Sequence, residues 1–283
     1  MLFIWGCLTL LQCIWPVYKW TRARRLEMRL KLFSRTLGEG SKDLVILHGL
    51  LGSADNWQTL GKRYAEDFRV HLVDARNHGR SPHTEDHNYG LMVEDLRTFL
   101  DAKCISKAHL LGHSMGGKTV MAFTEKYPER VAKLIVADIA PKAYTPHHGP
   151  IFNALLGTNP SVAKTRTEVQ SFLESKLGDD PTLVPFLMKG LHREKEGGYS
   201  WRFNVKILAD TLDTVTEGID LSLSTIPTLF IRGLKSSYVS DEELERVEQF
   251  YMRLETADIE DAGHWLHAEQ PDEFFELTRE FLG

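Results

Sequence analysis

At 283 residues, 42% apolar and 26% charged, the chain has an ordinary globular composition and room for one α/β domain with an insertion. Its formal charge of −5 is unevenly spread: seven basic residues and a single acid, Glu27, lie between Lys19 and Arg35, so the remainder is strongly acidic and excludes a nucleic-acid binder. Cys104 stands alone after Cys7 and Cys13, which excludes a disulfide framework or cysteine-based zinc site in the body and suits a reducing, cytoplasmic setting.

Residues 1–27 open with MLFIWGCLTLLQCIWPVYKW, uncharged before Lys19. The stretch lacks the basic leader and small-residue cleavage site of a secretory signal. It approaches the length of a membrane span, although Gln12 and Pro16 weaken it. Two readings stand: a membrane anchor with its basic flank in the cytoplasm, or a true start at Met28, since MRLKLFSRTLGEG reads as a first strand and turn.

From Met28 onward, short apolar runs alternate with amphipathic stretches, the pattern of a mostly parallel central sheet flanked by helices. Expected strands are Leu30–Phe33, Leu44–Leu47, Val70–Val73, His109–Leu111, Leu134–Ala137, Thr228–Ile231 and Thr256–Ile259. Expected helices between them are Met92–Leu100, Lys118–Lys126, Asp241–Phe250 and Pro271–Phe281, the last with proline at its first position and acids in its first turn. Between Pro141 and Thr225 the alternation gives way to helical periodicity over Ile151–Leu156, Ala163–Leu177, Leu183–Leu191 and Phe203–Leu212, with no convincing strand. The expected organisation is a core of residues 28–140 and 226–283 with an inserted helical cap, 141–225.

The chemistry begins at Gly112-His113-Ser114-Met115-Gly116-Gly117, which follows a strand and opens a helix. In that setting a G-x-S-x-G turn exposes a strained serine at a helix N-terminus. It also directs the Met115 amide at the oxygen that turns negative in a tetrahedral intermediate. Read alone, the serine has a second, weaker reading as a helix cap in a glycine-rich turn. His48-Gly49-Leu50-Leu51-Gly52 ends an earlier strand and can present the Leu50 amide as a second oxyanion donor, or serve as a plain turn. Asp74–Ser81 ends the next strand with side chains suited to tying down a turn, a structural role. Asp261-Ala262-Gly263-His264-Trp265 follows the last strand, where this order of elements calls for a base, so His264 is taken as catalytic rather than as a buried structural histidine.

The acid is less direct. The turn Gly233-Leu234-Lys235-Ser236 puts Ser236 where such proteins commonly carry the carboxylate. Asp138, closing the strand Leu134–Ala137 before Pro141, is the favoured acid, with Asp241 and Asp210 as alternatives. The segments HGLLGSADNW, VDARNHGRSP, GHSMGGK, DIAP, WRFN and AGHWLHAEQPDEF resemble the small bacterial YbfF-type esterases and the α/β-hydrolase domain-containing protein 11 group, over Leu44 to the C-terminus. The resemblance implies an α/β-hydrolase fold. It further implies an acyl ester or thioester hydrolase with Ser114, Asp138 and His264 as nucleophile, acid and base, and Ser236 as part of the bacterial pattern. Such an enzyme uses an acyl-enzyme intermediate and needs no metal or organic cofactor. The cap residues Phe152, Leu155, Phe172, Phe186, Leu187, Trp201 and Phe203 would line an acyl pocket or form the cap's own core. Ser114 counts against dehalogenase or epoxide hydrolase chemistry, which needs an aspartate nucleophile. A ligand receptor that keeps the three residues without turnover is the alternative of a different class.

Overall fold

The run Asp43–Leu47 is buried at every position, as a parallel strand covered on both faces must be. It lies inside a seven-stranded sheet in a computed structural model that describes residues 30–178 and 181–283. The anchor reading of residues 1–27, the start at Met28 and the turn residues Asp179 and Asp180 lie outside the described residues. In spatial order the strands are β1 (Ser34–Leu37), β3 (Arg69–Val73), β2 (Asp43–Leu47), β4 (Ala108–His113), β5 (Val131–Ala137), β8 (Thr228–Gly233) and β9 (Leu254–Ile259). Strand β1 is antiparallel to β3, and every other pair is parallel. Because β2 sits between β3 and β4, successive crossovers leave it in opposite directions. A crevice therefore opens outside the carboxyl ends of β2 and β4, the place where open α/β sheets bind ligands.

The first strand falls four residues later than its expected position, Leu30–Phe33. Ser34 pairs with Val73, the last residue of β3, and just beyond the strand the Phe33 carbonyl still accepts the Asp74 amide at 3.0 Å. The Phe33 amide donates to Ser81 Oγ at 2.8 Å. A helix at Gln58–Tyr64, led by a short 3-10 turn at Ala54–Trp57, had no counterpart in the sequence reading. Its Trp57, Leu60 and Tyr64 join Phe274, Phe275 and Phe281 of the Pro271–Leu282 helix in the main core.

Between Pro141 and Thr225 the helices are Gly149–Gly157, Arg166–Leu177, Leu183–Lys189, Val205–Asp210 and Leu212–Thr216. Phe152, Leu155, Val169, Leu173, Leu187 and Phe203 pack there into a second apolar cluster that reaches Leu51 of the sheet side. The expectation of no strand here was wrong. β6 (Leu191–Arg193) and β7 (Tyr199–Trp201) form an antiparallel hairpin, turning through Gly197 and Gly198, both at positive φ. Strands of three residues are too short to show a period of two. Among the described residues no helix is long and apolar enough to cross a membrane.

Candidate active site

Ser114 lies between β4 and the Met115–Lys126 helix with φ 52° and ψ −118°, a strained region for a side-chain-bearing residue. Two glycines allow this turn. A Cβ on Gly112 would meet the Gly116 carbonyl at 2.3 Å, and one on Gly116 would meet the Leu47 carbonyl at 2.4 Å. The Ser114 amide is tied to the Ala137 carbonyl at 3.1 Å, which links the turn to the end of β5.

Asp138 follows β5 directly, also at positive φ (48°), and is fully buried. Its Oδ1 accepts the Gly233 amide at 3.1 Å. Its Oδ2 accepts from His264 Nδ1 at 2.7 Å and from the Ser236 hydroxyl. On the other edge of the imidazole, His264 Nε2 stands 3.1 Å from Ser114 Oγ. The three residues, 126 and 150 positions apart in sequence from His264, thus form one hydrogen-bonded chain. The alternative acids do not join it. Asp241 is exposed and bonds Arg232, and Asp210 is exposed and bonds Lys206 on its own helix. Ser236 stands beside the carboxylate and donates to it.

Several groups that the sequence reading passed over hold this chain in place. Glu269 accepts the amides on both sides of His264, from Gly263 at 2.7 Å and from Trp265 at 3.2 Å. His113 Nε2 donates to the His264 carbonyl at 2.7 Å. Burial holds His113 well below the ordinary imidazole range, so it stays neutral beside His264. Glu269 lies five residues after His264 in the sequence, but nothing in that spacing distinguishes a clamp from a surface charge.

The turn after β2 is fixed by histidines. Leu51, at φ 61°, donates its amide to His78 Nε2 at 3.1 Å. His48 Nε2 accepts the Ala75 amide at 3.1 Å. Burial lowers the pKa of both rings, which suits neutral acceptors. Asp74 accepts the Ala54 and Arg80 amides at 2.6 and 2.7 Å, so Asp74–Ser81 acts as a brace. Among the described residues the amides of Leu50 and Met115 donate to no protein acceptor.

Above these strand ends is a cavity of about 290 Å³, at the small end of the range for small-molecule sites. Ser114, His264, Leu50 and Tyr238 line it together with the apolar side chains of Ile151, Leu183, Phe186, Leu187 and Trp265. Of the seven cap residues singled out in the sequence, only Phe186 and Leu187 reach it. Phe152, Leu155 and Phe203 are spent in the second cluster. Among the described residues no group of three histidine, cysteine or acidic side chains is arranged to hold a metal ion.

A serine on a glycine-bounded turn at the switch point of a mostly parallel sheet defines the class, a serine hydrolase. The chain belongs to the α/β-hydrolase family, whose model, described as alpha/beta hydrolase fold, matches residues 43–271. It is 36% identical to esterase YbfF of Escherichia coli over 258 residues, covering 90% of this chain and 99% of that protein. It is 33% identical to the sn-1-specific diacylglycerol lipase of Mus musculus, covering 84% of this chain and 80% of that one. Among solved structures, a marine microorganism esterase matches with a TM-score of 0.86 and 40% identity, covering 89% of this chain and 99% of that chain.

Proposed function

We propose that this hydrolase cleaves carboxylic esters or thioesters of small acyl substrates through an acyl-enzyme on Ser114, with His264 as base and Asp138 as its acid partner. The observation that carries the proposal is the unbroken run from Asp138 Oδ2 through both ring nitrogens of His264 to Ser114 Oγ, at 2.7 and 3.1 Å. As Ser114 Oγ attacks the acyl carbon, its proton passes to His264 Nε2, and Asp138 stabilises the imidazolium. The Leu50 and Met115 amides receive the oxyanion, each worth roughly 2.7–4 kcal/mol where such donors have been removed. The imidazolium then protonates the leaving alcohol or thiol. Water then attacks the acyl carbon as His264 takes its proton. That proton returns to Ser114 Oγ as the ester bond to the serine breaks and the acid leaves. Each step draws on protein groups and water alone. The apolar lining of Phe186, Leu187 and Trp265 is suited to an acyl chain. The relatives named esterase and diacylglycerol lipase favour the same bond type.

Ser114→Ala tests it. Release of p-nitrophenol from a short acyl ester should fall by roughly six orders of magnitude in kcat, as when a serine protease loses its nucleophile. A fluorophosphonate probe should label wild type alone; equal labelling of both proteins would remove Ser114 from the mechanism.

A further inference from the structure

Both edges of the His264 ring are engaged by Asp138 and Ser114, and its face is covered too. The Tyr238 ring lies nearly parallel to it, with centroids 3.8 Å apart and planes 13° from each other. No hydrogen bond joins these two side chains, so the contact is one of faces.

Tyr238 is held firmly for a residue on a loop. Its main-chain carbonyl accepts from Tyr144 Oη at 2.8 Å, and that oxygen in turn accepts the Ala140 amide at 2.8 Å, two residues past Asp138. The Tyr238 amide donates to Ser236 Oγ at 3.2 Å, and Ser236 donates to Asp138. At the far end of the ring, the Tyr238 hydroxyl meets His147 Nε2 at 2.8 Å. His147 Nδ1 donates to the Thr145 carbonyl, so Nε2 is the acceptor and the phenol the donor. One short loop after β8 therefore touches the acid through Ser236 and the base through Tyr238.

We propose that Tyr238 is a positioning residue for the reaction, fixing the plane of the His264 ring and stabilising, through its π face, the charge that ring gains when it takes the serine proton. The proposal rests on the Ser114–His264–Asp138 reading. Before reaction the imidazole is neutral and the contact is a stack of two rings. As the proton arrives, the same contact becomes a cation over an aromatic face in a partly desolvated site, which is stronger. An interaction that grows between ground and transition state appears in kcat and leaves KM alone. The phenol itself stays uncharged, pushed up to about 12 by burial and then by the nearby Asp138.

The test compares Tyr238→Leu and Tyr238→Phe on p-nitrophenyl butyrate, with Ser114→Ala alongside. Tyr238→Leu should lower kcat by about 3- to 30-fold, the span that a cation–aromatic contact supplies, with KM within about twofold of wild type. Tyr238→Phe keeps the face and loses only the bond to His147, and should restore kcat to within about threefold of wild type. Wild-type kcat in Tyr238→Leu, equal loss in both variants, or a loss confined to KM would each overturn the proposal. If the leucine variant does not fold, Tyr238→Met replaces the volume without a π face and reads the same quantities. Activity surviving in Ser114→Ala would instead sink the underlying triad.

Discussion

The strand ends bearing Ser114, Asp138 and His264 and the helical segment between Pro141 and Thr225 are held by different forces. At the strand ends the backbone decides. Ser114 and Asp138 sit at φ 52° and 48°, Gly112 and Gly116 have no room for a side chain, and Glu269 grips the main chain around His264. In the helical segment side chains decide: an apolar cluster of Phe152, Leu173, Leu187 and Phe203 holds short helices together. A backbone-built region tolerates few sequences and so leaves a readable motif, whereas many apolar combinations fill a cluster equally well. Lys118 bridges the two. Its buried ammonium leaves the helix behind Ser114 and donates to the carbonyls of Lys142 and Glu217, near either end of the segment. Burial lowers its pKa to about 8.

The sharpest way to break this contrast is to change Asp138. Asp138→Asn should cut kcat by about 10⁴-fold, the loss known when a triad aspartate becomes asparagine and the imidazole is held in the wrong tautomer. Asp241→Asn and Asp210→Asn, whose carboxylates face solvent and bond Arg232 and Lys206, should each cost less than about tenfold, or 1.36 kcal/mol. The measurement is kcat/KM for the three single mutants on one ester. Near-wild-type activity in Asp138→Asn, with collapse in either other mutant, would reverse the assignment.

A smaller effect should separate the regions from the other side. Leu173, fully buried in the helical cluster, leaves a cavity when cut to alanine, so Leu173→Ala should lose about 2–5 kcal/mol of stability in urea unfolding. On a short ester, well below its melting temperature, its kcat should stay within about threefold of wild type, less than 1 kcal/mol. Loss of kcat in folded Leu173→Ala would mean that the cluster shapes the strand ends after all.

The mildest effect is acid sensitivity, and it should arise on the sheet side. His48, His78, His87, His113 and His267 are buried there, and desolvation lowers the pKa of each, to about 3 for His87 and His267. Their folded values lie below the unfolded value near 6.5, so below that pH the unfolded chain binds more protons. Stability should therefore be held above about pH 6.5 and decline as pH falls toward 3. Among the described residues neither ring nitrogen of His87 has a hydrogen-bond partner, so His87→Phe removes one such proton site without breaking a bond. Melting temperatures between pH 7.5 and 5 should fall less steeply in His87→Phe than in wild type; parallel curves would show that His87 does not contribute.

The sequence by itself determined the elements whose signal is local. Apolar runs gave the parallel strands, the turn Gly112–Gly117 marked Ser114 because only that spacing permits such a backbone, and the loop before the last helix marked His264. It favoured Asp138, from its place at a strand end, and kept Asp241 and Asp210 as alternatives. Which of them reaches His264 depends on β5 and β8 lying side by side, a pairing of residues nearly a hundred positions apart. Only the tertiary structure decided that, and for the same reason only it brought Tyr238 and His113 beside one imidazole. It also divided the cap's aromatic residues between cavity and core, because helical periodicity tells which face of a helix is buried but not what it is buried against.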